Sequence, residues 1–182
     1  IMTNQNTGGP GVEEAEKVRG YLLAQGKKYT WDQLWPRIIG SRATLVESLA
    51  GVSDEQGDWE PGSGTGEEAW GITQIVRHVI SAGDGTLAST EALANGNVAP
   101  DRTSPNLDNL KLSELMPLLL DSSEHLATMR KRVPENPNME LTSPHSFFGE
   151  LTSKAWFLFI RVHDTDHLNQ IATIKDTDGY PQ

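Results

Sequence analysis

Two histidines lie one helical turn apart near the end of the chain. The segment RVHDTDHLNQI places His163 and His167 four residues apart, directly after the apolar run KAWFLFI. Side chains at this spacing share a helix face and lie ~6 Å apart along the axis. Two neutral imidazoles so placed can bind one divalent metal ion. The alternative is a pair of core histidines, each of which then needs other hydrogen-bond partners.

A third ligand would have to come from another helix, and His78 is the best candidate. It follows Ile75 by three residues in ITQIVRHVI, at the edge of an apolar stripe. The metalloprotease motif HExxH is absent, because Asp164, Thr165 and Asp166 are the first three residues after His163. The paired ExxH motifs of di-iron bundles are absent as well.

Helical periodicity dominates the segments that would position these histidines. We expect helices over residues 12–26, 30–51, 67–95, 111–133 and 152–174. The stretches 52–66, 96–109 and 134–151 are rich in glycine, proline and polar residues and are predicted to be loops. The pattern predicts an all-α protein: residues 1–182 form one four-helix-bundle domain, with 12–26 as an additional helix and 1–10 as a loose tail.

Composition limits the possible partners. The 182 residues are 36% hydrophobic and 22% charged and carry a net charge of −10, which would repel phosphate backbones and anionic lipids. We therefore expect neither nucleic acid nor a membrane as a partner. The chain has no cysteine, which excludes a thiolate nucleophile and fits a reducing compartment. With no apolar run near ~18 residues, these features lead us to expect a cytoplasmic protein.

Two segments resemble the DinB-like superfamily: AWGITQIVRHV and SFFGELTSKAWFLFIRVHDTDHLNQI, in which His78 and His163 are 85 residues apart. The shared features are a tryptophan before a helix with one histidine, an FG-x-L loop, and a final helix with HxxxH followed by QI. The resemblance implies a four-helix bundle of up-down-down-up topology that forms a homodimer. It also implies one divalent ion, zinc or nickel, held by His78, His163 and His167.

Three other residues are candidates for a substrate pocket: Trp70, His145 and Asp166. His145 precedes the final helix and could line the pocket or lie in a surface loop, and Trp70 could wall the pocket or pack in the core. Adjacent helical side chains diverge by ~100°. We therefore expect Asp164 and Asp166 in solvent, with orientation of a ligand imidazole as the alternative for Asp166. No general base is identifiable.

Four functions are compatible with the sequence. Members of the resembled family include transferases of low-molecular-weight thiols, which implies a small thiol and an electrophilic substrate as partners. Others are described as metal-dependent hydrolases. The third possibility is a bundle that binds a metal ion or small ligand without turnover. The fourth is a dimerising structural bundle whose histidines are only core residues.

Overall fold

The fold is described from a computed structural model, which covers residues 9–101 and 103–182. The helices and strands in chain order are α1 (Val12–Lys28), α2 (Trp31–Ser48), α3 (Asp54–Asp58), α4 (Ile72–Ala94), α5 (Leu112–Thr128), β1 (Thr142–His145), β2 (Gly149–Thr152) and α6 (Ser153–Lys175). Short 3₁₀ turns lie at Gly66–Ala69 and Met129–Lys131. In the described part of the chain, no helix is both long and apolar enough to cross a membrane.

Where the sequence carries a capping signal, the helix begins close to its predicted position. Thr30 caps α2: its hydroxyl accepts from the backbone N–H of Gln33 at 3.3 Å, and the Gln33 side chain accepts from the Thr30 N–H at 3.0 Å. The helix predicted from Glu67 begins only at Ile72, since the preceding residues form a 3₁₀ turn. The predicted loop 52–66 contains the short helix α3.

The prediction of a loop over residues 134–151 is wrong in its second half. There β1 and β2 pair antiparallel as a hairpin, with Thr142 opposite Thr152 and His145 opposite Gly149. Each strand has four residues and β1 contains Pro144, so the sequence shows too little alternation to indicate a strand. The hairpin matters for the site because its turn carries Phe147 and Phe148.

Four long helices form a closed ring. Helix α6 packs against α4 and α2, and α5 closes the ring by packing against the same two helices. Helix α1 lies outside the ring, against α6 and β2. The mostly helical architecture is thus as predicted, whereas the up-down-down-up order and the single-domain boundaries stay predictions. Of the predicted tail, residues 1–8 lie outside the described residues, and Gly9 is buried.

The core consists of two apolar clusters separated by a polar layer. On every helix of the ring, a polar residue falls between a member of one cluster and a member of the other. We use the name polar layer for these four residues: Arg42 on α2, Asp84 on α4, Ser122 on α5 and Asp164 on α6. Arg42 pairs with Asp164, and the Ser122 hydroxyl donates to Asp84 Oδ1 at 2.6 Å. Gly83 leaves room for the arginine, because a Cβ there would lie 2.9 Å from Arg42 Nη2.

Candidate metal centre

The three predicted histidines come together between α4 and α6. His78 Nε2 lies 2.9 Å from His163 Nε2, and one ring nitrogen from each histidine falls within 4.8 Å of the others. The ring centroids are 4.5–5.0 Å apart. Zinc–imidazole bonds measure about 2.0–2.1 Å, so three nitrogens in this space fit around a single divalent ion.

Burial keeps two of these imidazoles neutral. It lowers the pKa of His78 to about 3, with a smaller contribution from the neighbouring His163 and His167. The pKa of His167 falls to about 4, again chiefly through burial and then through His163. Neutral imidazole is the form that binds a metal. Near neutral pH, both rings are therefore ready to act as ligands.

Gln170 sets the orientation of His167. Its side-chain NH₂ donates to the backbone carbonyl of Glu67 at 2.6 Å, which leaves its Oε1 facing His167. An amide oxygen only accepts, so His167 Nδ1 must donate in the 2.9 Å bond between them. The lone pair of this imidazole is then on Nε2, where an ion could be bound. A hydrogen-bonded partner of this kind commonly fixes a metal-binding histidine.

A buried ion pair lies behind His163. Arg42 Nε and Nη2 donate to the two carboxylate oxygens of Asp164 at 2.7 and 3.1 Å, and the side chains are 2% and 0% exposed. Asp164 Oδ1 is also 3.6 Å from His163 Nδ1. Burial alone would raise the pKa of Asp164, but the Arg42 charge and the contacts with His163 and Arg42 outweigh it and lower the pKa. The carboxylate is therefore ionised and attracts the Nδ1 side of His163.

The expectation that Asp164 lies in solvent is wrong. Helix α6 packs against α1, α2 and α4, and Asp164 lies on the side that faces α2, where it pairs with Arg42. Arg42 is absent from the sequence-based predictions, although a signal for it exists. It continues the apolar line of α2 from Ile38 to Leu45 in steps of four and three. A charged residue on such a line predicts a buried partner of opposite charge.

A cavity of about 180 Å³ opens beside the three histidines. We call it the aromatic cavity, bounded by His78, His163, His167, Phe147, Phe148 and Phe159. Gly9 and Pro10 also line it, where the chain approaches α1. The hairpin and α6 thus supply aromatic side chains next to the cluster of imidazoles.

The predicted pocket residues have different positions. His145 is buried in β1 and lines the aromatic cavity, with Nδ1 accepting from the Phe147 N–H at 3.1 Å. Asp166 lines the same cavity and is exposed. Trp70 lies elsewhere: its ring packs against His78 at 5.2 Å, in a second opening that Gln74 and Arg77 also line.

Glu67 is a cavity residue that the sequence does not reveal. Together with Glu68, it indicates only a favourable helix start. In the structure Glu67 is half-buried and lines the aromatic cavity. Burial raises the pKa of its carboxyl group, an effect that His163 opposes and Asp166 reinforces. No local motif marks this role, since Glu67 reaches the cavity only through the fold of the turn before α4.

Comparison with known proteins gives one positive result. A search of curated proteins finds no match. A family model described as the DinB superfamily matches residues 37–171, a region that includes all three histidines of the cluster, the ion pair behind His163 and the hairpin. Since this match covers well over half of the 182 residues, the chain belongs to the DinB superfamily.

Proposed function

We propose that His78, His163 and His167 hold one divalent ion, zinc or nickel, and that the protein transfers a low-molecular-weight thiol to an electrophilic substrate. One observation carries the proposal: three imidazoles converge beside a cavity, and burial lowers the pKa of two of them, His78 and His167. In the described part of the chain, no fourth histidine, aspartate or glutamate joins that cluster. Three protein ligands leave a coordination position for a substrate.

The thiol must be a cosubstrate, because the chain has no cysteine. A free thiol has a pKa of about 8.5, and coordination to a divalent cation would deprotonate it at neutral pH. The protein's own residues hold and orient the participants. Gln170 and Asp164 orient two imidazoles, and the aromatic cavity gives one side of the cluster a largely apolar space for a substrate.

The second opening on His78 suits a thiol that carries a carboxylate. Arg77 lines it and donates through Nη2 to the carbonyl of Leu110. Arg77 Nε is buried and, among the described residues, has no hydrogen-bond partner. The Arg77 cation opposes the repulsion that a net charge of −10 imposes on anionic thiols, and the Asp108 carboxylate, which lines the same opening, reduces this effect.

A hydrolase is the second candidate, and Glu67 is the observation that favours it. A half-buried carboxyl group with a raised pKa, beside an open metal position, is placed to accept a proton from an attacking water molecule. Thiol transfer needs no such base once the thiol is ionised. The two candidates therefore differ in their dependence on Glu67.

Metal content tests the ligand assignment. Wild-type protein should contain one equivalent of zinc or nickel by elemental analysis, and His163→Ala should lose it. The matched control is His125→Ala, because that side chain is 55% exposed and lies outside the cluster. Equal metal content in wild type and His163→Ala would reject the assignment.

Conjugation of a chlorinated nitroarene with a panel of biological thiols tests the reaction. Sulfur forms a bond to the ring carbon, chloride leaves with the bonding electrons, and the thiol proton goes to solvent. Activity should vanish in His78→Ala and His167→Ala and persist in His125→Ala. Turnover of an ester alone, lost in Glu67→Gln, would establish the hydrolase instead. No turnover of either substrate by metal-loaded protein would indicate a binding module.

A further inference from the structure

We propose that the aromatic cavity binds a single aromatic ring of the electrophilic substrate and presents it to the three histidines. This inference rests on the proposed function, because it names the substrate class for the same site. It follows from the arrangement of rings, the volume of the cavity and the small residue that lines it from α4, none of which is visible in the sequence motif.

A row of aromatic rings leads from the protein surface to the imidazoles. Ring centroids are 6.4 Å apart between Phe147 and Phe148, 5.6 Å between Phe148 and Phe159, and 5.5 Å between Phe159 and His163. All three pairs are tilted or edge-on, at 56–66°. Aromatic rings prefer such offset and edge contacts at 4.5–7 Å. An incoming ring can therefore join the row with the same geometry.

His145 holds this row in place. Its imidazole stacks on Phe148, with centroids 4.7 Å apart and planes 28° apart, and meets Phe159 edge-on at 4.6 Å. The backbone N–H groups of Phe147 and Phe148 both donate to His145 Nδ1, at 3.1 and 3.4 Å. The hairpin turn and its two phenylalanines are thus tied to a buried residue, which preorganises the wall.

The volume of the cavity selects for one ring. It measures about 180 Å³, and an apolar cavity of about 150 Å³ in another protein takes up benzene. Ala82 lines the cavity from α4, one turn after His78. Its side chain is a single methyl group, and a larger residue at this position would take up part of the cavity volume.

Phe147 is the accessible end of the row. Its side chain is 42% exposed, unlike the buried Phe148. Gly9 lies directly against it, so close that a Cβ at Gly9 would come within 2.2 Å of the Phe147 ring. The chain before α1 therefore narrows the entrance beside Phe147. A ring that enters at this point contacts Phe147 first.

Binding of small alcohols to the metal-loaded protein, measured by NMR titration, tests the inference. Benzyl alcohol should bind more tightly than cyclohexylmethanol and butan-1-ol. Phe147→Ala should lower the affinity for benzyl alcohol about fivefold, as expected for loss of one aromatic pair. Ala82→Leu should lower the same affinity about tenfold, because the larger side chain occupies the cavity. The matched control is Tyr21→Ala, which removes an aromatic side chain of similar exposure, 43%, from α1. It should leave the affinity unchanged.

Two results would overturn the inference. One is an affinity for benzyl alcohol no higher than for cyclohexylmethanol in wild type. The other is equal affinity in Phe147→Ala, Ala82→Leu and Tyr21→Ala proteins of normal metal content. Because the titration requires no turnover, it is independent of the conjugation assay. Ring binding without thiol transfer would reject only the proposed reaction, and conjugation of aliphatic electrophiles without ring binding would reject only this inference.

Discussion

At the scale of single residues, each histidine of the cluster has a different neighbour. His163 faces the Asp164 carboxylate, His167 donates to Gln170, and His78 packs against Trp70. These neighbours cannot exchange roles, since a carboxylate, an amide and an indole act on an imidazole through charge, a directed hydrogen bond and ring contact respectively. The three imidazoles are therefore chemically distinct before any ion binds.

The depressed histidine pKa values predict an acid-sensitive fold in the metal-free protein. His78 and His167 have pKa values of about 3 and about 4 when folded, against ~6.5 when unfolded. Between pH ~6.5 and ~4 the unfolded chain binds protons that the folded protein excludes. Stability present above pH 6.5 should therefore fall with decreasing pH, by up to ~1.4 kcal/mol per pH unit for each histidine.

Urea denaturation in the presence of a chelator at pH 7, 6 and 5 measures this loss. The control is the double variant His78→Gln/His167→Gln, in which neither side chain titrates. It should lose clearly less stability over the same range. An identical loss in both proteins would show that other groups cause the acid sensitivity.

Substitutions in the ion pair behind His163 should affect the stability of the fold and the affinity for metal differently. Asp164→Asn leaves the buried Arg42 charge unpaired and should cost ~3–5 kcal/mol of unfolding free energy. Arg42→Met/Asp164→Leu removes both charges and should recover most of that loss. The double variant still lacks the carboxylate near His163 Nδ1, so its metal affinity should be about 10–100-fold below wild type.

Urea denaturation and competition with a chelator give the two readouts. If the double variant recovers stability and binds metal as tightly as wild type, Asp164 has no role in positioning His163. If it stays as unstable as Asp164→Asn, the cost does not come from an unpaired charge.

At the scale of elements, α6 was predictable and the hairpin was not. The steps of three and four along Trp156, Ile160, His163, His167, Ile171 and Ile174 define one face, and the structure buries most of that face. The ion pair depends on which helices surround α6, and that cannot be derived from α6 alone. The hairpin places Phe147 and Phe148 at the cavity, yet its four-residue strands carry almost no pattern.

Two glycines of α1 predict opposite effects of the same substitution. Gly20 is exposed, and a Cβ added there would have open space around it, so Gly20→Ala should stabilise the protein by ~0.5–1 kcal/mol through better helix propensity. Gly26 is buried, and a Cβ there would lie 3.1 Å from the Ala155 backbone nitrogen and 3.2 Å from Lys154 Cβ. Gly26→Ala should push α1 away from α6 and destabilise the protein.

Urea midpoints of the two single variants decide this point. Their opposite signs would show that α1 is packed on α6 at Gly26. Stabilisation by both substitutions would instead mean that the contact between Gly26 and α6 can adjust to a Cβ without loss of stability. Helix α1 would then be only loosely packed on the bundle.

At the scale of the whole molecule, we predict a homodimer. The family resemblance implies association through helix faces, and α5 exposes Leu120, whose side chain is 52% accessible. Light scattering should give about 40 kDa, twice the 20.0 kDa of one chain. Leu120→Glu would place a charge in such an interface and should shift the mass towards 20 kDa. A wild-type mass near 20 kDa would contradict the prediction.

Because of the polar layer, the loops between the helices can tolerate insertions during evolution. Arg42 meets Asp164 and Ser122 meets Asp84 only at one alignment of the four helices, so sliding by one turn would bury four polar groups against leucine and isoleucine. The polar contacts inside the bundle thus set the alignment of the helices, and the loops that connect them do not need to do so.

Insertion of a six-residue segment of glycine and serine after the exposed Val98 should lower the free energy of unfolding by less than ~1 kcal/mol and leave the metal content unchanged. Loss of metal from that protein would show that the connection between α4 and α5 does help to align the ligands. Otherwise this connection is a place where new sequence, and with it new substrate contacts, can be acquired without rebuilding the centre.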